Sequence, residues 1–332
     1  MNRKTGQERQ LDHDDSQHEE APPQRFDGLH TGSWTNRLPA SWVPYVQLAR
    51  LSPPVPLLLI FFPHSFGILH AAIINRIPPA SIVRVFCVLL GGSLFLSNAI
   101  HGWNDLIDSP IDKLILRTRN RPVPRGAITP QAAFIFTLSQ AIAAAFFLLL
   151  LPPTTAIYAV PSIIAHTYYP FSKKQIYYPQ VVLGISLQWP IILASFSTAP
   201  SNVLMDQSLL CLFFGCVLWT VTYDTVYGFQ DYKEDIRVGV KSTAVLFGEW
   251  GKPILWFLSN SMVALLISSG YLAGMSLTYF AVSVGGCFTS LNVMMAKVNL
   301  KSPESCSWWF TYGFWGPAVS ISGGLLCEYL FK

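Results

Sequence analysis

Carboxylates at helical spacing mark a first candidate site. The run NDLIDSPID contains Asn104, Asp105, Asp108 and Asp112, and it follows a long apolar segment. Its three aspartates recur at a spacing of three and four residues, so a helix would present them on one face. Carboxylates grouped in this way repel one another unless a cation lies between them. The run therefore predicts a cation site, with a solvated acidic helix end as the simpler alternative.

A second run repeats the arrangement after another apolar segment. The stretch YDTVYGFQDYKEDIRVGVKST contains Asp224, Asp231 and Asp235, which can share one face of a helix. Two facing sets of carboxylate oxygens suit Mg²⁺, which usually binds through one or two carboxylates together with substrate phosphates. Because a solvated helix end does not account for two such clusters, the pair favours a metal site.

Basic residues follow both clusters, among them Arg117, Arg121 and Lys241. Guanidinium and ammonium groups are common ligands of phosphate oxygens. The combination predicts a diphosphate that is bridged by Mg²⁺, with its hydrocarbon part in an apolar helix bundle. An isoprenyl diphosphate has this chemistry, since metal ions stabilise the charge on its leaving diphosphate. Aromatic side chains would shield the allylic cation from water.

The composition indicates a membrane protein. Apolar and aromatic residues make up 51% of the 332 residues and charged residues only 12%, whereas ordinary globular domains have roughly 25% charged residues. No basic face with interleaved aromatic residues suggests binding to nucleic acid. The sequence predicts an all-α, polytopic protein with nine spans of about 20 residues each. The predicted spans are 55–75, 80–102, 130–151, 154–170, 180–199, 207–226, 252–271, 274–296 and 308–330.

The chain divides into a polar tail, residues 1–40, and a membrane domain, residues 41–332. The composition of the tail predicts disorder. The tail has no apolar core of a secretory signal, and its many acidic residues differ from an arginine-rich transit peptide. Most Lys and Arg residues lie in the tail and in the loops after the even-numbered spans. The positive-inside rule then places these loops, and a central cavity that opens between them, at the cytosolic face.

At this point the chain resembles the UbiA-type intramembrane prenyltransferases. NDLIDSPID is similar to their N-D-x-x-D-x-x-x-D motif, and RTRNRPVPRG is similar to the basic R-T-x-x-R-P-x-x-x-G continuation. The second run resembles the Y-D-T-x-Y-x-x-x-D-x-x-x-D motif typical of 4-hydroxybenzoate polyprenyltransferases. The resemblance implies a nine-helix bundle that transfers a prenyl group, farnesyl or similar, to an aromatic carbon with Mg²⁺ as cofactor.

The resemblance also implies roles for individual residues by their position in these motifs. The implied catalytic residues are two sets of Mg²⁺ ligands. Asp105, Asp108 and Asp112 would bind one Mg²⁺ with the diphosphate, and Asp231 and Asp235 would bind the other. The implied diphosphate contacts are Lys113, Arg117, Arg121, Lys173, Lys174 and Lys241. The implied supporting residues, which orient the two sites or the acceptor, are Asn104, Asp224 and Tyr227.

Arg50 matches the acceptor-side arginine of the family. The run RLSPP stands where the family often has R-L-D-K-P-x-G, so Arg50 and Leu51 are kept while Pro53 replaces the lysine and Pro56 the glycine. The resemblance therefore implies that Arg50 binds a carboxylate of an acceptor other than plain 4-hydroxybenzoate. Together with the acidic tail, this favours relatives of fungal meroterpenoid pathways, which prenylate polyketide-derived acceptors in the endoplasmic reticulum.

Two alternatives remain open at this stage. The first is a mitochondrial 4-hydroxybenzoate polyprenyltransferase of ubiquinone biosynthesis. The second is an ion-coupled transporter, which predicts charges distributed within the spans near the membrane midplane. The clustering of charges at one membrane face favours diphosphate chemistry over transport. The sequence makes no prediction about the oligomeric state.

Overall fold

A computed structural model describes residues 32–331 of the chain, and all regular structure in this range is helical. The α-helices are α1 (Val43–Leu48), α2 (Val55–Asn75), α3 (Pro79–Asp112), α4 (Pro130–Leu148), α5 (Thr155–Gln175), α6 (Pro179–Gln188), α7 (Pro190–Thr198), α8 (Gln207–Gly228), α9 (Tyr232–Val238), α10 (Thr243–Phe247), α11 (Gly251–Leu272), α12 (Leu277–Tyr279), α13 (Gly285–Lys297), α14 (Pro303–Gly313) and α15 (Trp315–Phe331). Short 3₁₀ helices span Thr35–Arg37, Val203–Met205 and Gly248–Trp250, and a π-helical turn spans Phe280–Val284. Most of the predicted tail, residues 1–31, lies outside the described range.

Proline and capping residues set many of the helix starts. Proline occupies the first turn of α2, α3, α4, α6, α7 and α14, where its missing N–H leaves no hydrogen bond unmade. Asp206 caps α8, since its carboxylate accepts from the N–H groups of Ser208 (2.9 Å) and Leu209 (3.2 Å). The first seven predicted spans start within one residue of the observed helices, and these local signals explain the starts of α2, α3, α4, α6 and α8.

The described residues include seven helical segments that are long and apolar enough to cross a membrane. They are Val55–Asn75, Pro79–Asp112, Pro130–Leu148, Pro179–Thr198, Gln207–Gly228, Thr243–Leu272 and Leu277–Lys297. Helix α5 and the pair α14 and α15 occupy the remaining two predicted positions. The ninth predicted span, 308–330, is not one helix, because α14 ends at Gly313 and α15 begins at Trp315. Pro317 explains the break, since its ring would clash with the carbonyl of Gly313 in a continuous helix.

The two helices that carry the acidic runs are fixed from several sides. Helix α8 packs against α6, α11 and α14, and its Trp219 and Tyr223 are buried in the main apolar core. Helix α3 packs against α2 and α4. Helices α2 and α7 approach closely at Gly67, where a Cβ atom would clash with the carbonyl oxygen of Ile191. This packing holds the ends of α3 and α8 in a fixed relation.

Candidate active site

The first acidic run forms the last turns of α3. Asp105, Asp108 and Asp112 are 1%, 3% and 4% exposed, so all three lie on the buried face of the helix, as the spacing predicts. Carboxylates buried this far need cationic partners. Three basic side chains supply them. The ion pairs are Arg50 Nη2–Asp105 Oδ1 (3.0 Å), Arg121 Nη1–Asp105 Oδ1 (3.2 Å), Arg121 Nη1–Asp112 Oδ2 (2.9 Å) and Lys173 Nζ–Asp108 Oδ2 (2.5 Å).

Arg117 joins the first run to the second. It follows α3 in the chain, yet its Nε and Nη2 donate to the carboxylate of Asp231, at 3.1 Å and 2.5 Å. Its Nη1 donates to the hydroxyl of Tyr227 at 2.6 Å, and its guanidinium lies 4.8 Å from the centroid of that ring. A fork of this kind fixes both distance and orientation. The two acidic runs therefore lie at the same end of the bundle, as predicted from their topology.

The prediction that Asp224, Asp231 and Asp235 share one helical face is wrong in its local geometry. Helix α8 ends at Gly228, and Asp231 is the residue that precedes α9. Glycine is a poor helix former, and the chain turns directly after it. The turn nevertheless leaves all three carboxylates in the lining of one cavity.

A cavity of about 110 Å³ lies between the two runs. Its polar lining includes Asp108, Asp112, Arg117, Arg121, Tyr169, Lys173, Gln180, Asp224, Tyr227, Asp231, Asp235 and Lys241. Burial, followed by the negative charge of Asp231, raises the pKa of Asp235 to about 7. A cation bound beside Asp235 would favour its charged form and lower this pKa. The cavity is thus lined by carboxylate oxygens together with guanidinium and ammonium groups.

The other predicted residues differ in their relation to the cavity. Asn104 does not line it, but its Oδ1 accepts from the lining residue Lys173 at 3.3 Å. Lys241 lines the cavity, and its amine donates to the carbonyl of Gln175 at 3.0 Å. Lys113 and Lys174 are exposed and do not line the cavity, so their role in binding diphosphate stays a prediction.

Tyr169 and Gln180 are among the lining residues that were not predicted from the sequence. Tyr169 lies on α5, one turn before Lys173, whose amine is 4.7 Å from the centroid of its ring. Gln180 lies at the start of α6, and its Oε1 accepts from the N–H of Thr243 at 2.9 Å. Both residues lie outside the acidic runs, and only the packing of α5 and α6 against the site brings them in. The four-residue spacing of Tyr169 and Lys173 was the one available signal.

The residues present fit Mg²⁺ that shares its ligands with a substrate. Within residues 32–331, no three carboxylate, histidine or thiol groups converge closely enough to enclose a cation by themselves. Asp108 Oδ1, however, is buried without a hydrogen-bond partner in this range, and so is Arg121 Nε. The free anionic oxygen suits Mg²⁺, and the free guanidinium N–H suits a phosphate oxygen. The arrangement matches a cation that takes its remaining ligands from diphosphate and water.

A larger apolar cavity of about 380 Å³ lies between α3, α4 and α5 and includes Trp103 in its lining. At about 100° per residue, Trp103 lies roughly 140–180° around α3 from the three aspartates. This cavity therefore faces away from the carboxylates, and we assign no substrate to it.

Comparison with known proteins decides the class of enzyme. Residues 60–316 match the model of the UbiA prenyltransferase family. This chain belongs to the UbiA prenyltransferase family. The family membership establishes that the protein is a membrane-bound prenyltransferase, as predicted, and it excludes the transporter alternative.

The relatives of this UbiA-family enzyme include fungal prenyltransferases and 4-hydroxybenzoate polyprenyltransferases. The chain is 33% identical over 296 residues to the UbiA prenyltransferase claS of Ampulloclitocybe clavipes, covering 86% of this chain and 91% of that protein. It is 32% identical over 312 residues to the mitochondrial 4-hydroxybenzoate polyprenyltransferase of Saccharomyces cerevisiae, covering 94% and 81%. It is 32% identical over 276 residues to the DMOA farnesyltransferase nvfB of Aspergillus novofumigatus, covering 82% and 87%.

A solved structure confirms the fold of this UbiA-family enzyme. A UbiA homolog from Archaeoglobus fulgidus, bound to GPP and Mg²⁺, matches it with a TM-score of 0.62 and 16% identity. The match covers 83% of this chain and 100% of that one. The likeness establishes the helical architecture.

Proposed function

We propose that this enzyme transfers an isoprenyl group, farnesyl or similar in length, from its diphosphate to a carbon of a phenolic or polyketide-derived acceptor, with Mg²⁺ as cofactor. The observation that carries the proposal is the cavity whose lining brings Asp108 and Asp112 together with Asp231, Asp235 and Arg121. The named activity of the Aspergillus relative and the GPP and Mg²⁺ of the Archaeoglobus homolog support it.

The charges of the cavity suit the departure of a diphosphate. Bound Mg²⁺ would stabilise the electron pair that the leaving diphosphate takes when the allylic C–O bond breaks. The aspartates of both runs would hold the cation, while Arg121 and Lys173 would contact phosphate oxygens. An aromatic carbon would then attack the allylic cation to form a C–C bond, and the ring proton would pass to water or to the released diphosphate. The ring of Tyr227, whose centroid lies 4.1 Å from that of Phe310 with the two planes tilted by 35°, would offer an aromatic face beside the leaving group.

The proposal includes a membrane arrangement. We infer nine spans, with α5 and the pair α14 and α15 added to the seven apolar segments. The basic loops and the cavity would lie at the cytosolic face, as the positive-inside rule indicates. The acidic tail favours the endoplasmic reticulum over the mitochondrial inner membrane as the site of this enzyme.

Arg50 is our candidate for the acceptor side of the site. Its Nη2 pairs with Asp105, while its Nε is buried without a hydrogen-bond partner within residues 32–331. A buried guanidinium N–H without a hydrogen-bond partner costs free energy, and a ligand that accepts this hydrogen bond removes the cost. A carboxylate on the acceptor is the partner that the positive charge favours.

Arg50→Ala is expected to raise the KM of a phenolic acid acceptor by about tenfold or more, because a hydrogen bond to a charged group contributes about 1.5–3 kcal/mol. The KM of the prenyl diphosphate is expected to change much less. Steady-state kinetics with each substrate varied in turn measures both. Arg76→Ala is the matched control, since Arg76 also has a left-handed backbone (φ 52°) but lies at the other end of α3. Equal changes in the two KM values would contradict the assignment.

The proposed function is tested by incubating membranes that contain the enzyme with Mg²⁺, a panel of prenyl diphosphates and a panel of acceptors. The expected product has the mass of the acceptor plus the prenyl group minus one hydrogen atom. Phenolic or polyketide-derived acids other than 4-hydroxybenzoate are expected to be the better acceptors. Selective use of 4-hydroxybenzoate would instead support the second candidate, which the yeast relative favours. No product from any pair would contradict both.

A further inference from the structure

Arg50 adopts a backbone conformation that arginine rarely has. Its φ is 53°, in the left-handed region. The N–H of Leu51 donates to the carbonyl of Val46 (3.1 Å), and the N–H of Arg50 donates to that of Gln47 (3.0 Å). These two bonds form the Schellman motif that ends many helices, in which glycine is the usual residue at the position of Arg50. Arg76 ends α2 with the same left-handed backbone (φ 52°), so this conformation alone assigns no role, and it is the side-chain contacts of Arg50 that point to one.

The helix that ends in this turn is tied to the loop that follows α3. Gln47 is only 4% exposed, and its Oε1 accepts from Nη2 of Arg125 at 2.5 Å. Nη1 of Arg125 donates to the carbonyl of Asn120 at 2.6 Å, so the guanidinium is held from both sides. Arg125 lies one turn beyond Arg121, in the same loop. The contact therefore connects α1 to the segment that carries a principal cation of the site.

The same two segments meet again at Asp105. Its Oδ1 accepts from both Arg50 Nη2 (3.0 Å) and Arg121 Nη1 (3.2 Å). The relative position of these two guanidinium groups depends on how α1 sits on the loop. An apolar cluster holds α1 there, and the contact between Gln47 and Arg125 fixes its orientation. The cluster consists of Leu48, Val123, Ile128 and Ala133.

We propose that Gln47 and Arg125 act as a clamp that positions Arg50 to bind the acceptor carboxylate. The inference rests on the proposed function, and it adds two residues outside the acidic runs. Gln47 and Arg125 do not line the diphosphate cavity. They are positioning residues, because each acts through the turn that aims Arg50. Loss of the contact between Gln47 and Arg125 keeps the charge of the Arg50 guanidinium but changes its orientation. The enzyme then loses its preference for an acid acceptor.

The test compares a phenolic acid with the matching phenolic carboxamide as acceptors of the full-length enzyme in membranes. Gln47→Met and Arg125→Met each remove the contact while keeping a long side chain. Each is expected to raise the KM of the acid about tenfold, with the KM of the carboxamide and of the prenyl diphosphate changed less than about twofold. The double variant is expected to match the single variants, because the two substitutions remove the same hydrogen bond.

Two further variants test whether the positioning of Arg50, and not the charge of residue 125 or the folding of the loop, determines the acid preference. Arg125→Lys is expected to recover most of the acid preference, since an ammonium group can still donate to Gln47. Arg119→Met, an exposed residue of the same loop, is expected to behave as wild type. Equal losses with acid and carboxamide, or an unchanged acid preference in both Met variants, would overturn the clamp while leaving prenyl transfer established. A wild-type enzyme without prenyl transfer would overturn the proposed function, and the clamp with it.

Discussion

Asp108→Asn is expected to lower kcat for prenyl transfer by about a thousandfold, while the protein still inserts and accumulates. Asp108 Oδ1 is buried and unpartnered within residues 32–331, and Oδ2 pairs with Lys173. Asparagine keeps the size of the side chain and an oxygen for Lys173, but it removes the negative charge that would hold Mg²⁺. Metal stabilisation of a leaving group contributes several kcal/mol, and about 1.4 kcal/mol corresponds to a tenfold change in rate.

Single-turnover kinetics in purified membranes at saturating Mg²⁺ measures this loss. Glu249→Gln is the matched control, because Glu249 is exposed and lies outside the cavity. Its kcat is expected to stay within about twofold of wild type, as for most surface substitutions. An Asp108→Asn enzyme with a kcat near that of wild type would remove Asp108 from the metal site.

Arg117→Lys is expected to lower kcat/KM for the prenyl diphosphate by about a hundredfold. The guanidinium of Arg117 donates to Asp231 through two nitrogens and to Tyr227 through the third. A lysine keeps the charge, but its single ammonium does not reproduce this planar fork. Hydrogen bonds to charged groups contribute about 1.5–3 kcal/mol each, which corresponds to roughly ten- to hundredfold in kcat/KM.

Arg237→Lys is the matched control for this prediction. Arg237 lies on α9, six residues after Asp231, but it is exposed and does not line the cavity. Its kcat/KM is expected to equal that of wild type. If Arg117→Lys also kept the wild-type value, Arg117 would contribute charge alone, and the fork that joins the two acidic runs would have no role in catalysis.

Local patterns made part of the site predictable. The shared face of Asp105, Asp108 and Asp112 follows from helical spacing, which depends only on nearby residues, and the structure confirms it. The starts of α2, α4 and α8 follow from proline and capping residues in the same way. The motifs also indicated that Arg117 and Arg121 belong beside these carboxylates, and both line the cavity.

Contacts between distant segments were not predictable from these patterns. The sequence gives no sign that Arg125 meets Gln47, which lies 78 residues earlier in the chain. The break between α8 and α9 depends on the turn after Gly228, whereas helical spacing alone predicted one continuous helix through this point. Tyr169 and Gln180 reach the cavity only because α5 and α6 pack against it. These features arise from tertiary packing, which a single sequence does not encode in its local periodicity.

The central claim is that both acidic runs hold one Mg²⁺-bridged diphosphate. The most direct measurement is the binding of an unreactive prenyl thiodiphosphate to the enzyme in nanodiscs, with Mg²⁺ or with a chelator, for wild type, Asp108→Asn, Asp231→Asn and the double variant. We expect wild type to bind at least about tenfold more tightly with Mg²⁺, each single variant to lose this gain, and the double variant to bind no more weakly than the singles. Equal affinity of wild type with and without Mg²⁺, or losses that simply add in the double variant, would contradict the shared site.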